Sequence, residues 1–119
     1  MLDLAKREAG EYTALKEIAE HQGISVKYLE QIITALCRAG YLKSQRGSQG
    51  GYRLTKTAAE YTVGDILRVT EGELAPVSCL EDINNQCSRF DRCATVNFWQ
   101  GLYDSINNYV DSITLADLL

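Results

Sequence analysis

Between Ala14 and Leu54 two helical runs joined by a short glycine turn lead directly into two strand-like runs around a glycine-rich tip, and few folds accommodate that order. Leu15, Ile18 and Ala19 recur at helical spacing, with Thr13 the expected N-cap. Gly23, within His21-Gln22-Gly23-Ile24, breaks this run. Ser25 then stands where a cap is needed for a second helix, expected over Val26 to about Ala39, with Leu29, Ile32, Ile33 and Leu36 as its apolar face. Gly40 is placed to end it in a left-handed conformation. Residues 41–44 and 52–55 then read as short strands flanking Gln45-Arg46-Gly47-Ser48-Gln49-Gly50-Gly51, whose glycines permit positive φ. Two helices about a tight turn, followed by a basic-tipped hairpin, make a winged helix-turn-helix.

The rest of the chain supports this unit. Met1 to Arg7 reads as a short helix stopped by Gly10, with no residue before it to cap it; the expectation is a first helix that begins further upstream. Thr62-Val63-Gly64-Asp65 has the form of a capping box and opens a helix with Val63, Ile66 and Leu67 on its apolar face, ending at Gly72. Residues 73–93 hold the only proline and three cysteines and read as a loop. From about Asp91 a long helix is expected, with Trp99, Leu102, Ile106, Tyr109 and Ile113 forming a narrow seam and Asn97, Gln100, Asp104, Asn107, Asn108 and Asp111 on the other side. Such a seam suits pairing with another helix, and a second copy of the chain is favoured over its own core. The expected fold is therefore mainly α with a small β-hairpin wing, plus a long C-terminal dimerisation helix. Its parts are a DNA-binding domain over 1–72, a cysteine-bearing loop over 73–93, and a dimerisation helix with a tail over 94–119.

Charge is distributed unevenly. The chain of 119 residues carries a net charge of −4, yet residues 38–56 hold Arg38, Lys43, Arg46, Arg53 and Lys56 and no acid. For phosphate contact a local basic patch matters more than the total. No apolar run approaches the roughly 18 residues of a membrane span, and no secretory signal opens the chain, so a cytoplasmic location is expected.

The start of the second helix should enter the major groove of double-stranded DNA. Ser25, Lys27, Tyr28, Glu30 and Gln31 lie off its apolar face. Glutamine pairs with adenine, a carboxylate accepts from cytosine, serine bonds a base edge or phosphate, and Lys27 and Tyr28 suit phosphate. Lys43, Arg46, Gly47 and Ser48 supply the wing, with Arg46 the candidate for a narrow minor groove. The single histidine, His21, falls in the turn and reads as a surface or packing residue. No catalytic triad, phosphate loop or paired acids support an enzyme.

Cys79, Cys87 and Cys93 have the spacing C-x7-C-x5-C, while Cys37 stands apart on the second helix as a small core residue. Clustered cytosolic thiols favour metal or redox chemistry over structural disulfides. An iron–sulfur cluster leads, with zinc, thiol switching and no cofactor left open.

Ile24-Ser25-Val26-Lys27-Tyr28-Leu29-Glu30-Gln31, Ala39-Gly40-Tyr41-Leu42 and Arg46-Gly47-Ser48-Gln49-Gly50-Gly51-Tyr52 resemble the winged-helix regulators typified by IscR, the iron–sulfur cluster regulator. Regulators of the NsrR and CymR types share that superfamily. The resemblance extends through Ile113-Thr114-Leu115-Ala116-Asp117-Leu118, and the three-cysteine loop points to the cluster-binding branch. It implies a homodimer on partly palindromic DNA, a 2Fe–2S cluster on Cys79, Cys87 and Cys93, and regulation of cluster-biogenesis genes. Two departures stand out. Members of the family begin further upstream, in a basic segment. The IscR pattern also has a histidine where this chain has Val96. The fourth ligand is therefore unassigned; candidates are an upstream residue, Glu30 or the partner subunit. Alternatives are a cluster-free, thiol- or nitric-oxide-responsive repressor, or a metal-binding adaptor that binds proteins and shows no salt-dependent DNA retention.

Overall fold

The computed structural model describes residues 1–81 and 87–119. Its elements run α1 (Leu2–Ala5), α2 (Leu15–Gln22), α3 (Val26–Arg38), β1 (Leu42–Gln45), β2 (Gly51–Leu54), α4 (Val63–Glu71) and α5 (Val96–Ser112). Short 3-10 turns lie at Ala58–Glu60, Ser78–Leu80, Phe90–Arg92 and Ala116–Leu118. The strands form one antiparallel hairpin with Leu42 opposite Leu54 and Lys43 opposite Arg53. The expected fold, mainly helical with a small hairpin, is the fold observed.

The core forms where the apolar stripes meet. Leu4 of α1, Ile18 and Ala19 of α2, Leu29, Ile33 and Leu36 of α3 and Leu42 of β1 are buried together. Ile32 packs against them half-buried. Burying each such Leu or Ile side chain contributes about 1.5–3 kcal/mol. Gly23, at φ +66, turns the chain between α2 and α3. Asp3 Oδ2 accepts from Gln22 Nε2 at 2.8 Å and lies 2.9 Å from His21 Nδ1, tying α1 to the end of α2. His21 is thus an exposed packing partner.

Several boundaries differ from the sequence expectation. Thr13 does not cap α2; the N-cap is Ala14, which makes no side-chain bond. Thr13 is buried and pairs with Tyr52 instead, each amide donating to the other's carbonyl at 2.9 and 2.8 Å. It forms a single antiparallel bridge beside the wing. The first strand starts at Leu42 because Tyr41 belongs to the end of α3. Its amide donates to Leu36 O at 2.9 Å and that of Gly40 to Cys37 O at 3.0 Å, the double bond of a Schellman cap. The long helix begins at Val96 rather than near Asp91, since residues 90–92 form a turn of their own and Cys93 is extended. The capping box at Thr62 is present, with the Asp65 amide donating to Thr62 Oγ1 at 2.9 Å and the Thr62 amide to Asp65 Oδ2 at 3.1 Å.

The seam expected on α5 is divided. Trp99, Ile106 and Ile113 are half-buried, while Leu102 and Tyr109 are exposed and Phe98 joins them at 64%. From the polar side, Asn107 and Asp111 reach α4, while Asn97, Gln100, Asp104 and Asn108 are exposed. Arg68 donates to Asp111 Oδ1 and Oδ2 at 2.7 and 3.0 Å and to Asn107 Oδ1 at 2.8 Å. Gly64 permits the approach, for a Cβ there would sit 2.0 Å from Asp111 Oδ1. No residue of α5 is fully buried.

Candidate nucleic-acid interface

Ser25 opens α3 by accepting the Tyr28 amide on its Oγ at 3.1 Å, which leaves its O–H free to donate outward. Lys27, Tyr28, Glu30 and Gln31 are all exposed on the first turns of α3, Tyr28 at 57%. Helical geometry places Lys27, Gln31, Thr34 and Arg38 along one stripe opposite the buried Leu29, Ile33 and Leu36, with Tyr28 and Glu30 flanking it. Thr34 and Arg38 were absent from the sequence-derived site. Stepping from Lys27 by four and three residues would have found both. Asp and Glu are absent from the first turn of α3, and Glu30 is the stripe's nearest acid.

The wing follows without a spacer. Lys43, Arg46, Gly47 and Ser48 are exposed. Gly47 has φ +108 and accepts the Gly50 amide at 3.0 Å, which makes the tip tight. At Gly50 a Cβ would fall 2.1 Å from Gln45 O, so only glycine closes the loop without displacement. Arg46, Lys43 and Lys27 form no ion pair among the described residues, which leaves their charge available to an outside anion. Arg53, opposite Lys43, lies over the Tyr12 ring at 5.1 Å and anchors the outer face of the hairpin.

The three loop cysteines differ in their surroundings. Cys79 lies half-buried in the turn Ser78–Leu80, Cys87 is exposed, and Cys93 is half-buried just before α5. Cys93 Sγ lies 3.3 Å from Thr95 Oγ1. That hydrogen bond, with the Thr95 and Val96 amides, holds its thiol below the usual value. Burial pushes the Cys37 thiol up, as befits a packing residue. All four cysteines are free. Thiolates are suitable donors for an iron–sulfur cluster, yet among the described residues no three Cys, His, Asp or Glu side chains are gathered to hold a metal. Residues 82–86, between Cys79 and Cys87, lie outside the described residues.

Comparison with known proteins agrees with this architecture. A family model described as "Rrf2: Iron-dependent Transcriptional regulator" matches residues 1–119. The chain is 40% identical over 119 residues to "Protein rrf2" of Nitratidesulfovibrio vulgaris, covering all of this chain and 79% of that protein. It is 40% identical over 118 residues to the "HTH-type transcriptional regulator CymR" of Bacillus subtilis, covering 99% of this chain and 80% of that one. The solved structure of T. potens IscR superposes with a TM-score of 0.77 at 43% identity, over 98% of this chain and 75% of the other. These relatives are transcriptional regulators rather than enzymes, and no helix among the described residues is long and apolar enough to cross a membrane. The chain belongs to the Rrf2 family of transcriptional regulators.

Proposed function

We propose that the chain acts as a homodimer that reads a partly palindromic DNA site with α3 and the wing, under control of the loop bearing Cys79, Cys87 and Cys93. The carrying observation is the exposed stripe at the start of α3, packed on a hairpin whose tip Arg46 is free of any carboxylate among the described residues. Ser25, Lys27, Tyr28, Glu30 and Gln31 face the major groove; Lys43, Arg46, Gly47 and Ser48 meet the backbone and minor groove. In this reading residues 1–72 bind DNA, 73–93 sense, and 94–119 dimerise through the exposed apolar side of α5. The test is footprinting with a salt titration. Two protected half-sites about 34–36 Å apart support it, and retention that ignores salt and Arg46→Ala refutes it.

Two chemistries compete at the loop. A 2Fe–2S cluster would take Cys79, Cys87 and Cys93, supported by the resemblance to IscR and by three free thiols; its fourth ligand, Glu30 among the candidates, is unassigned. Thiol-based sensing without a cluster is favoured by the acidified Cys93 beside Thr95, and a CymR stands among the relatives. Iron and acid-labile sulfide analysis of anaerobically purified protein separates them. A visible absorbance lost in Cys79→Ala supports the cluster; a colourless protein with unchanged DNA affinity excludes it.

A further inference from the structure

Tyr61 is buried to 1% exposure between the wing and the end of α5. Its hydroxyl donates to Tyr41 O at 2.7 Å and accepts the amides of Thr55 and Lys56, each at 3.0 Å. One donor and two acceptors exhaust a phenol's capacity. Tyr41 immediately precedes β1 and Thr55 immediately follows β2, so one side chain pins both roots of the hairpin. Thr55 Oγ1 donates to Gly40 O at 2.7 Å, a second tie that fastens the end of β2 to the end of α3 beside the first. The Tyr41 ring meets the Tyr61 ring edge-on at 5.5 Å. The backbone of Tyr61 faces the other way: its carbonyl accepts the Leu115 amide at 2.9 Å, and Val63 donates to Ile113 O at 2.8 Å. One residue thus joins the wing's roots to the segment that leaves α5.

We propose that Tyr61 is a positioning residue for DNA binding, its hydroxyl fixing the angle of the wing and its carbonyl coupling that angle to the end of α5. The proposal rests on the reading of Arg46 as a DNA contact. Each strand of the wing is about 13 Å long at the usual rise, so a 10° swing at the roots moves the tip by about 2 Å. That shift is enough to break a hydrogen bond at the tip. The contacts of α3, which lie outside the lever, are unaffected.

A double-mutant cycle on the full chain tests this, using a duplex recovered from a random-sequence pool by the unmodified protein. Arg46→Ala in the unmodified background is expected to weaken binding about tenfold. In Tyr61→Phe the same change should cost less than about twofold, because the tip is no longer held in place. Gln31→Ala should cost the same in both backgrounds, which a merely loosened fold would not give. A full Arg46 effect in Tyr61→Phe overturns the proposal. An absent Arg46 effect in the unmodified protein instead overturns the DNA reading on which it rests. If Tyr61→Phe does not fold by circular dichroism, Thr55→Val carries the cycle, since it keeps the aromatic pair and removes the tie from the end of β2 to Gly40 that holds the Thr55 amide against the Tyr61 hydroxyl. Diminished Arg46 dependence again supports the latch, and unchanged dependence overturns it.

Discussion

A methyl group at Gly51 would sit 2.1 Å from Thr13 O, inside the paired bridge that holds the wing against the strand-like segment before α2. Gly51→Ala must therefore separate Thr13 from Tyr52 or twist the hairpin, and φ at this position, +149, is itself unfavourable for alanine. The expected cost is about 1–3 kcal/mol, read as a lower thermal midpoint, with DNA affinity falling as well because the strand that reaches the tip is displaced. Ser25 carries two roles at the same scale. Ser25→Ala removes the cap on Tyr28 N and should destabilise the fold by about 1 kcal/mol in urea. Loss of affinity beyond that explained by unfolding marks the hydroxyl's separate contact with DNA.

At the scale of elements, α4 and α5 are joined by a bidentate pair. Arg68 holds the Asp111 carboxyl below the ordinary aspartate value of 3.8 through its hydrogen bond, aided by its charge. A carboxyl whose folded pKa is depressed stabilises the fold fully above the unfolded value and loses that contribution as pH falls through the folded one. Stability of the unmodified chain should therefore decline as pH drops below 3.8. Arg68→Ala should flatten that part of the pH dependence of the thermal midpoint; an unchanged acid limb contradicts the pairing. The effect is small because Arg68 and Asp111 side chains are 31% and 45% exposed.

The elements also show what could be read from residues alone. Helix α3 and its caps were legible because Ser25, the Leu29–Leu36 stripe and Gly40 act within a turn or two of each other. The capping box at Thr62 and the glycine tip were legible for the same reason. Thr13 was misread because its partner, Tyr52, lies far along the chain, and a buried bridge overrides local capping preference. The contact of Asn107 and Asp111 with Arg68 was not legible, since both look solvated until α4 is set against α5. The latch at Tyr61 left no sequence signal, as its hydroxyl partners are backbone groups of Thr55, Lys56 and Tyr41, which any residue could supply. Among the candidate DNA contacts, exposure followed from helical periodicity, whereas the surroundings of each cysteine depend on how the loop folds.

At the scale of the molecule, a 17-residue helix with no buried residue and with Phe98, Leu102 and Tyr109 exposed is an incomplete surface. Dimerisation across it predicts that Phe98→Asp combined with Leu102→Asp yields monomers in sedimentation equilibrium and weakens DNA binding strongly, because two half-sites are no longer held together. A dimer that persists in that variant places the interface elsewhere. The reading head is the part on which the rest depends. Its most direct test is the affinity of the unmodified chain, Gln31→Ala and Arg46→Ala for the same selected duplex and for a shuffled duplex across a salt series. Gln31→Ala should erode discrimination between the duplexes by about 1–3 kcal/mol, and Arg46→Ala should weaken binding and lower its salt dependence. If both variants bind both duplexes as the unmodified chain does, α3 and the wing are not what reads DNA.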